Sequence, residues 1–562
     1  MKYKIFVFFF LISGLFALVS CYDDKGSNDF DTVLPDVEIV IPQSAYSATL
    51  GGTISIQPIV KTDIDASDLE YHWEVNGNVK NSQNRDTFSP LVEGNLQSET
   101  LNYVCKLDDN ITALNKSYEC RLRVHQKSTG RDFYSSDTFT ITIEGLSGLM
   151  VLYDDANSCD VGMLCADEFM PSSSSIPETP TATMSVFSSA NNGAKLAGKG
   201  REVYQGIASG LEWSGDDSKD RMRIFVRTDQ ATYWLNRNDL SILGDWNHVF
   251  YLQGDRKQNE GNPKGFVLDG TWGAAFDGDD VFMMQTAYQD KYLFPTMTAK
   301  TDFNGRNMTF SPVLMSVEST GSIQRLMYAN SVNGNEERKG FVAITNGAID
   351  NINMYTKLLD TSSDQVAFNP GDMKADLVAM ANDSRAHVVA VMKGLPSHPL
   401  YANRYFFVDL DTGAPVAGES SYAGIPNCCC SMENLTDVDR AINFCFGSSI
   451  NMYYYATPNG VYRYGLDGTN LIASQPLCMT DGTAVSFDGE ITMMKRLCQD
   501  NVTRHDNDEI ILVATYQNGK SALYALHLDT MTGNVVKSAK YSSDNVDGWN
   551  FGKIYDVNIK SL

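Results

Sequence analysis

Three tryptophans in loop-like stretches of the 562-residue chain are its best candidates for binding chemistry. Trp246 is followed by Asn247 and His248, and both Trp272 and Trp549 lie close to glycine. An exposed aromatic ring can stack on the apolar face of a sugar while neighbouring polar side chains bond the sugar hydroxyls. These five residues are therefore predicted to contact a ligand. The alternative for the tryptophans is packing between β-sheets.

Motifs for catalysis or metal binding are missing from the sequence. The seven histidines form no HExxH pair, and neither a GxSxG elbow nor a GxxxxGK[ST] phosphate loop is present. The acidic stretches 215–220 and 277–280 lack the register of a calcium loop. We predict no catalytic residue, no metal and no cofactor. A glycosidase needs only two or three carboxylates, and the 69 acidic residues single out no pair, so a hydrolase stays an alternative.

The charge balance argues against nucleic acid as a partner. The net charge is −25, and clustered Lys and Arg, which would release counterions from a phosphate backbone, are absent from the sequence. The hydrophobic fraction of 43% is that of a globular chain rather than a disordered one.

The N-terminus predicts export. Lys2 and Lys4 precede an apolar run over residues 5–19, which is too short to span a bilayer comfortably. We predict a signal peptide over residues 1–20. Its end, Leu-Val-Ser before Cys21, resembles the lipobox of bacterial lipoproteins, which implies that Cys21 is lipidated; an ordinary signal cleavage site is the alternative. The polar, acidic residues 21–35 then form the lipidated end and a flexible tether.

Cysteine spacing predicts disulfides. Ten of the eleven cysteines remain after Cys21, an even number, and no CxxC is present. The local pairs that the spacing favours are Cys105 with Cys120, Cys159 with Cys165, Cys478 with Cys498, and Cys445 with one of Cys428, Cys429 and Cys430.

Residues 36–145 read as a β-sandwich. Five segments alternate apolar and polar residues with a period of two, as half-buried antiparallel strands do. Trp73 lies mid-strand like the core tryptophan of an immunoglobulin-like sandwich, and Tyr118, two residues before Cys120, resembles a tyrosine corner. The five segments are 37–41, 53–56, 71–75, 118–124 and 139–143.

Residues 146–562 repeat a unit of strand, turn and aromatic strand. The clearest copy has Asn518-Gly519 between two apolar runs, a strong hairpin signal because both turn positions need positive φ. The spacing of related Leu-Asp turns indicates a unit of about 60 residues, so residues 146–562 would contain about seven units. Such units without helices favour a roughly seven-bladed β-propeller, with stacked sandwiches as the competitor. The final strand, 552–559, is expected to complete the first unit.

These features together resemble a known family. Cys21-Tyr-Asp-Asp, the Tyr71-x-Trp73 strand and the all-β region that opens at 148–153 are similar to the PKD-like family lipoproteins of Bacteroidetes. The resemblance implies a PKD-like sandwich followed by a long all-β region. Together with the repeat, this predicts an all-β chain with a PKD/immunoglobulin-like sandwich before the propeller. It also implies that Asp23 and Asp24 direct export to the outer face of the outer membrane.

The resemblance implies a role in nutrient uptake. Related lipoproteins accompany SusC/SusD-like importers, so we expect a non-catalytic surface lipoprotein that helps to capture a polysaccharide or peptide. Its expected partners are the outer membrane, through the lipid anchor, and the transporter complex. Two alternatives stay open: a propeller-fold hydrolase and a structural adhesin or scaffold subunit.

Overall fold

The structure of the protein is a computed structural model, and it divides the chain into two compact units, Met1–Glu144 and Gly145–Leu562. The predicted boundary between residues 145 and 146 lies one residue from this division. The structure describes residues 37–49, 52–80, 86–91, 98–106, 110–112, 114, 116–155, 158–170, 179–207, 222–245, 265–269, 272–277, 280–285, 296–297, 307–317, 324–345, 355–358, 368–383, 387–411, 425–447, 452–497 and 509–560.

The first unit is a β-sandwich. β2, β10, β8, β5 and β6 form a sheet in that order, with β9 beside β8, and two strand pairs, β1 with β4 and β3 with β7, complete the fold. The elements are β1 (Val37–Val40), β2 (Ala45–Thr49), β3 (Thr53–Ile56), β4 (Ile59–Thr62), a 3₁₀ turn (Ala66–Asp68), β5 (Leu69–Lys80), β6 (Asp86–Pro90), β7 (Leu101–Val104), β8 (Ser117–Gln126), β9 (Arg131–Tyr134) and β10 (Phe139–Glu144).

The core of the sandwich lies where the sequence predicts it. Trp73 on β5 is buried, and its ring meets Phe139 edge to face at 5.8 Å between centroids. The Tyr118 hydroxyl accepts a hydrogen bond from the Thr112 amide at 3.0 Å, which is the backbone contact of a tyrosine corner. Alternate residues of β8 and β10 enter this core, because a strand turns successive side chains to opposite faces.

The second unit contains seven antiparallel sheets among its described residues. Sheet 1 has β11 (Gly148–Asp155), β12 (Ser158–Cys165), β13 (Thr181–Thr183) and β14 (Leu196–Ala197); sheet 2 has β15 (Gly200–Ile207), β16 (Met222–Thr228), β17 (Thr232–Leu235) and β18 (Ile242–Asp245); sheet 3 has β19 (Gly265–Asp269), β20 (Trp272–Asp277), β21 (Asp280–Gln285) and β22 (Thr296–Met297); sheet 4 has β23 (Asn307–Val317), β24 (Gln324–Asn333), β25 (Glu336–Thr345) and β26 (Tyr355–Leu358). Sheet 5 has β27 (Ala375–Asn382), β28 (Val388–Gly394), β29 (Tyr405–Asp411) and β30 (Ile425–Ser431); sheet 6 has β31 (Asn443–Phe446), β32 (Met452–Thr457), β33 (Gly460–Asp467) and β34 (Asn470–Pro476); sheet 7 has β35 (Glu490–Arg496), β36 (Glu509–Gln517), β37 (Lys520–Leu528) and β38 (Val535–Ser542).

One further strand, β39 (Ile554–Lys560), pairs antiparallel with β11 and so completes sheet 1, as the sequence predicts for 552–559. We call β39 and the first strands of sheets 2 to 7 the leading strands. Each leading strand contacts that of the next sheet, and the leading strand of sheet 7 contacts β39. The described helical segments of this unit are brief: a helix at Val186–Ala190 and 3₁₀ turns at Asp167–Phe169 and Val438–Arg440.

The hairpin predicted from Asn-Gly is present between β36 and β37. Asn518 and Gly519 have φ angles of 51° and 81°, in the left-handed region that this turn requires. Within the described ranges, no helix has both the length and the apolar character needed to cross a membrane.

Candidate functional site

The structure places Trp549 in the core rather than on a surface. Its side chain is 7% exposed and packs against Phe551 at 4.7 Å between ring centroids. Its Nε1 donates a hydrogen bond to the Ser521 carbonyl at 3.2 Å. This satisfied indole fills the space between sheets 1 and 7, so the packing alternative holds for Trp549 and the ring is closed to a ligand.

Of the other predicted ligand and anchor residues, the structure describes only the backbone of Trp272. Trp272 begins β20 instead of lying in a loop, and its backbone pairs with those of Asp269 and Gln285. The side chain of Trp272 lies outside the described residues, as do Trp246, Asn247 and His248. The predicted lipidation site Cys21 and the export residues Asp23 and Asp24 lie outside them too.

Two of the predicted disulfide pairings conflict with the strand geometry. Cys159 and Cys165 lie six residues apart on β12, about 20 Å along a strand, whereas bridged Cα atoms are at most about 7 Å apart. The Cys159 thiol instead donates to the Gly198 carbonyl at 3.1 Å. Cys445 packs toward sheet 7, while Cys428 and Cys430 face sheet 6 from sheet 5, so a sheet separates them.

The remaining cysteines leave two pairings open. Cys105 and Cys120 are unbridged thiols buried in the same sandwich core. Burial raises the pKa of the Cys120 thiol to about 12, so it is protonated and unreactive at neutral pH. Cys478 is an unbridged thiol, and Cys498 lies outside the described residues.

Bulges in the leading strands form a feature that the sequence analysis missed. In four sheets, the leading strand carries one extra residue opposite its partner strand: Tyr555, Arg201, Val378 and Thr492 in sheets 1, 2, 5 and 7. A fifth register shift lies in β23 of sheet 4. A bulge re-aims a side chain, and such irregularities are over-represented next to binding sites. Their recurrence in strands that contact one another makes this region the candidate site.

Tyr555 and Arg201 lie at the contact between sheets 1 and 2. The Tyr555 ring lies against Gly200, where an added Cβ would come within 2.7 Å of it. The Arg201 side chain is 53% exposed, and its Nη2 lies 4.0 Å from Asp229. Burial and the Asp154 carboxylate raise the pKa of Tyr555, so its hydroxyl stays protonated. The Tyr555 ring is partly buried and packs on the core of sheets 1 and 2, so the pair places an aromatic ring and its hydroxyl beside an exposed guanidinium, a combination that suits a hydroxylated ligand. We call these two residues the Tyr555 patch.

A charged network joins three sheets beside this patch. Asp556 on β39 accepts from Lys495 Nζ on β35 at 2.8 Å and from the Val203 amide on β15 at 3.0 Å. On β15, Glu202 pairs with Arg227 at 3.2 Å. Burial raises the pKa of the Glu202 carboxyl, an effect that Arg227 opposes and Asp556 reinforces. The network fixes the leading strands of sheets 7, 1 and 2 relative to one another.

A second buried carboxylate fastens sheet 1 to sheet 7. Glu168, after β12, pairs with Lys537 at 2.9 Å and with His527 at 3.6 Å, and accepts a hydrogen bond from the Tyr541 hydroxyl. Burial alone would raise the pKa of Glu168, but the nearby His527 ring and the hydrogen bonds from Tyr541 and Lys537 together hold it well below its usual range. The carboxylate is therefore a structural anion and not an acid held ready for catalysis.

A His-Asp pair at sheet 5, formed by half-buried His387 just before β28 and buried Asp409 on β29, also lacks the geometry of a catalytic dyad. His387 Nδ1 lies 2.8 Å from Asp409, whereas Nε2 lies 3.6 Å from Asp411. Both ring nitrogens thus face carboxylates, so neither is directed at a nucleophile. Across the residues that the structure describes, no cluster of three His, Cys, Asp or Glu side chains could hold a metal ion.

Comparisons with known proteins give one family match and one weak structural likeness. Among solved structures, one similar chain is titled "Crystal structure of BBS1N in complex with ARL6DN, soaked with lead"; it is 10% identical, covers 62% of this chain and 99% of its own, and has a TM-score of 0.24. No curated protein matches the sequence. The PKD-like family model matches residues 21–200, so the PKD-like part of the expected resemblance is confirmed.

Proposed function

We propose that the seven sheets of the second unit close into a seven-bladed β-propeller. The supporting observation is the chain of contacts between leading strands, which passes through all seven sheets and returns to β39. In sheet 1, β39 stands beside β11, so a strand from the end of the unit completes the sheet that begins it. Radial closure of this kind leaves only short, protected sheet edges.

We further propose that the protein is a lipid-anchored lipoprotein on the outer surface of the outer membrane. The support is the apolar run followed by Cys21 and the match of residues 21–200 to the PKD-like family. Lipid chains contribute about 0.8 kcal/mol per buried CH2, so a multiply acylated Cys21 anchors the chain without a spanning helix. Asp23 and Asp24 act as the export signal.

Its work is to capture a hydroxylated polymer, a glycan ahead of a peptide, for a SusC/SusD-like importer. The observation that carries this proposal is the Tyr555 patch, where two bulges on neighbouring leading strands set an aromatic ring and an exposed guanidinium at one contact. An aromatic face that stacks on sugar rings, with a donor beside it, is the minimum for holding a glycan without cleaving it.

Partner capture and ligand binding test this role separately. The tagged lipoprotein is isolated from its own outer membrane in mild detergent, and its partners are identified by mass spectrometry. We expect a SusC/SusD-like importer, and recovery of the protein alone would contradict the accessory role.

Affinity electrophoresis of the full chain against immobilised glycans tests capture itself. Arg201→Gln and Tyr555→Ala are expected to weaken retardation, whereas Lys127→Gln, an exposed cation of the sandwich, leaves it unchanged. If no glycan or peptide retards the wild-type chain, direct capture is excluded and a scaffold role takes its place.

A hydrolase is the second candidate. Glu202 and Asp556 are carboxylates on neighbouring leading strands, and burial raises the pKa of the Glu202 carboxyl, as the general acid of a glycosidase requires. The test is a turnover screen with the wild type and Glu202→Gln. Cleavage that the substitution abolishes without a change in melting temperature would favour the hydrolase over capture.

A further inference from the structure

The loop that joins β28 to β29, residues 395–404, is closed by its own histidine, and we call it the His398 loop. The Nδ1 atom of His398 accepts a hydrogen bond from the Leu400 amide at 3.1 Å and another from the Tyr401 amide at 2.9 Å. A ring nitrogen that accepts carries no proton, because both nitrogens of a protonated imidazole are donors. The closed loop therefore needs a neutral His398 with its proton on Nε2.

Aromatic packing holds the His398 ring in this position. Its centroid lies 5.1 Å from that of Tyr401 and 5.1 Å from that of Phe406, and Tyr401 stacks on Phe406 at 4.7 Å. Phe406 is fully buried, and Tyr401 packs against the core that contains it. The loop thus covers one end of the core of sheet 5.

Backbone hydrogen bonds fasten the base of the loop. The Gly394 amide donates to the Arg404 carbonyl at 3.0 Å, and the Leu395 amide donates to the Lys374 carbonyl, just before β27, at 2.9 Å. A side chain at residue 394 would clash with the Tyr401 carbonyl, so only glycine allows the loop to approach this closely. Loss of the two bonds to the histidine would therefore open the tip while the base stays attached to the sheet.

The charges around His398 oppose its protonation. Burial lowers the pKa of His398, and the nearby Lys374 ammonium lowers it further. Glu433 pairs with Arg404 at 2.6 Å and not with the histidine. Burial raises the pKa of Tyr401 to about 12, so this neighbour is neutral. In the part of the chain that the structure describes, no carboxylate forms an ion pair with His398 that would compensate for a proton on its ring.

We propose that the His398 loop is an acid-sensitive latch, closed when His398 is neutral and opened at its tip when the ring takes up a proton. Protonation turns Nδ1 into a donor, which removes both hydrogen bonds and sets an N–H group against two amide N–H groups. Opening uncovers the Phe406 ring and releases Leu400, which is already 72% exposed. The loop thereby couples the apolar surface at this end of sheet 5 to the pH of the surroundings.

The working range follows from proton linkage. The ordinary pKa of histidine is about 6.5, and that of His398 in the closed loop is lower. The closed loop therefore has its full stability above about pH 6.5 and loses it progressively as the pH falls toward the lowered pKa. Because pH 5 is 1.5 units below 6.5, the equilibrium constant for opening should rise from pH 8 to pH 5 by at most about 30-fold.

Hydrogen exchange of the full chain between pH 5 and pH 8, followed by mass spectrometry of peptides that cover residues 395–404, tests the proposal. Rates are corrected for the intrinsic pH dependence of amide exchange. The wild-type loop should exchange faster at pH 5, by up to about 30-fold. In His398→Asn, the Oδ1 atom replaces Nδ1 as an acceptor that does not titrate, so the corrected rate should stay constant. His125→Asn, at a half-buried histidine of the sandwich, is the matched control and should behave like the wild type.

A second variant covers the case in which asparagine fails to close the loop, which fast exchange at pH 8 would reveal. His398→Asp then takes its place, because its carboxylate is also an acceptor and stays ionised between pH 5 and pH 8.

Three results would overturn the proposal. The first is the same corrected pH dependence in the wild type and in the variant that closes the loop. The second is unprotected exchange of the Leu400 and Tyr401 amides at pH 8 in the wild type, because the loop would then be open at rest. The third is an equal acceleration at pH 5 in peptides from β36 and β37, which would indicate unfolding of the whole unit instead of local opening.

Discussion

Replacement of Asp556 by alanine tests whether one carboxylate holds three sheets together. In the wild type, Asp556 is buried, accepts from the amide of Val203 in sheet 2 and pairs with Lys495 of sheet 7. Asp556→Ala leaves the fully buried Val203 amide without this acceptor, at a cost of about 1–3 kcal/mol. The Lys495 side chain is 34% exposed and regains water, so the lost ion pair adds only about 1 kcal/mol.

The expected loss is therefore about 2–4 kcal/mol in the free energy of unfolding of the second unit. Urea unfolding of the full chain, followed by circular dichroism, measures it as a lower midpoint with an unchanged slope. A double-mutant cycle with Lys495→Met isolates the ion pair, for which we expect a coupling of about 1 kcal/mol.

Asp488→Ala is the matched control for this experiment. Asp488 pairs with Lys540 at 2.7 Å, close to the 2.8 Å of the Asp556 pair, but its side chain is 70% exposed. An exposed pair contributes about 0–1 kcal/mol. If Asp556→Ala destabilises the protein no more than Asp488→Ala does, the carboxylate does not fasten the sheets and the reasoning fails.

Three further predictions concern other residues. Because the folded-state pKa of Glu168 is lowered, the stability that its carboxylate contributes is present above the unfolded pKa of about 4.3 and is lost progressively as the pH falls below that value. The difference in unfolding free energy between wild type and Glu168→Gln, measured from urea midpoints, should therefore shrink from pH 6 to pH 3. A constant difference would contradict this. Trp549→Ala should lower the free energy of unfolding by about 3–5 kcal/mol in the same assay, as for a large core side chain. Unchanged stability together with lost ligand binding would contradict the core position of Trp549. Cys21→Ser should move the protein from the membrane fraction to the soluble fraction on ultracentrifugation, and retention on the membrane would exclude lipidation as the anchor.

Local patterns in the sequence predict much of the strand layout. The predicted segment 53–56 coincides with β3, and 139–143 falls within β10. Half-buried antiparallel strands have one buried and one exposed face, so their sequences alternate apolar and polar residues with a period of two. The sequence also predicts the β36–β37 hairpin, because its turn needs two residues that tolerate positive φ. The seven sheets agree with a count made from turn spacing alone.

Local sequence patterns do not predict features that depend on residues distant in the chain. Trp549 has glycine and asparagine neighbours typical of a loop, yet packing from sheet 7 buries it. Cys159 and Cys165 look like a local pair until β12 extends the chain between them. The bulges at Arg201 and Tyr555 have no signature of their own, because a bulge is a mismatch between two strands and not a property of one.

The pairing of β39 with β11 sets the order in which the second unit can be finished during synthesis. Gly148 pairs with Lys560, so the two partners of one sheet are 412 residues apart in the chain. At a synthesis rate of about 5–20 residues per second, β11 waits roughly 20–80 s for its neighbour. During that interval one edge of β11 has unpaired backbone groups, which can associate with other chains. Chaperone binding to the unfinished chain is therefore expected to end when β39 becomes available.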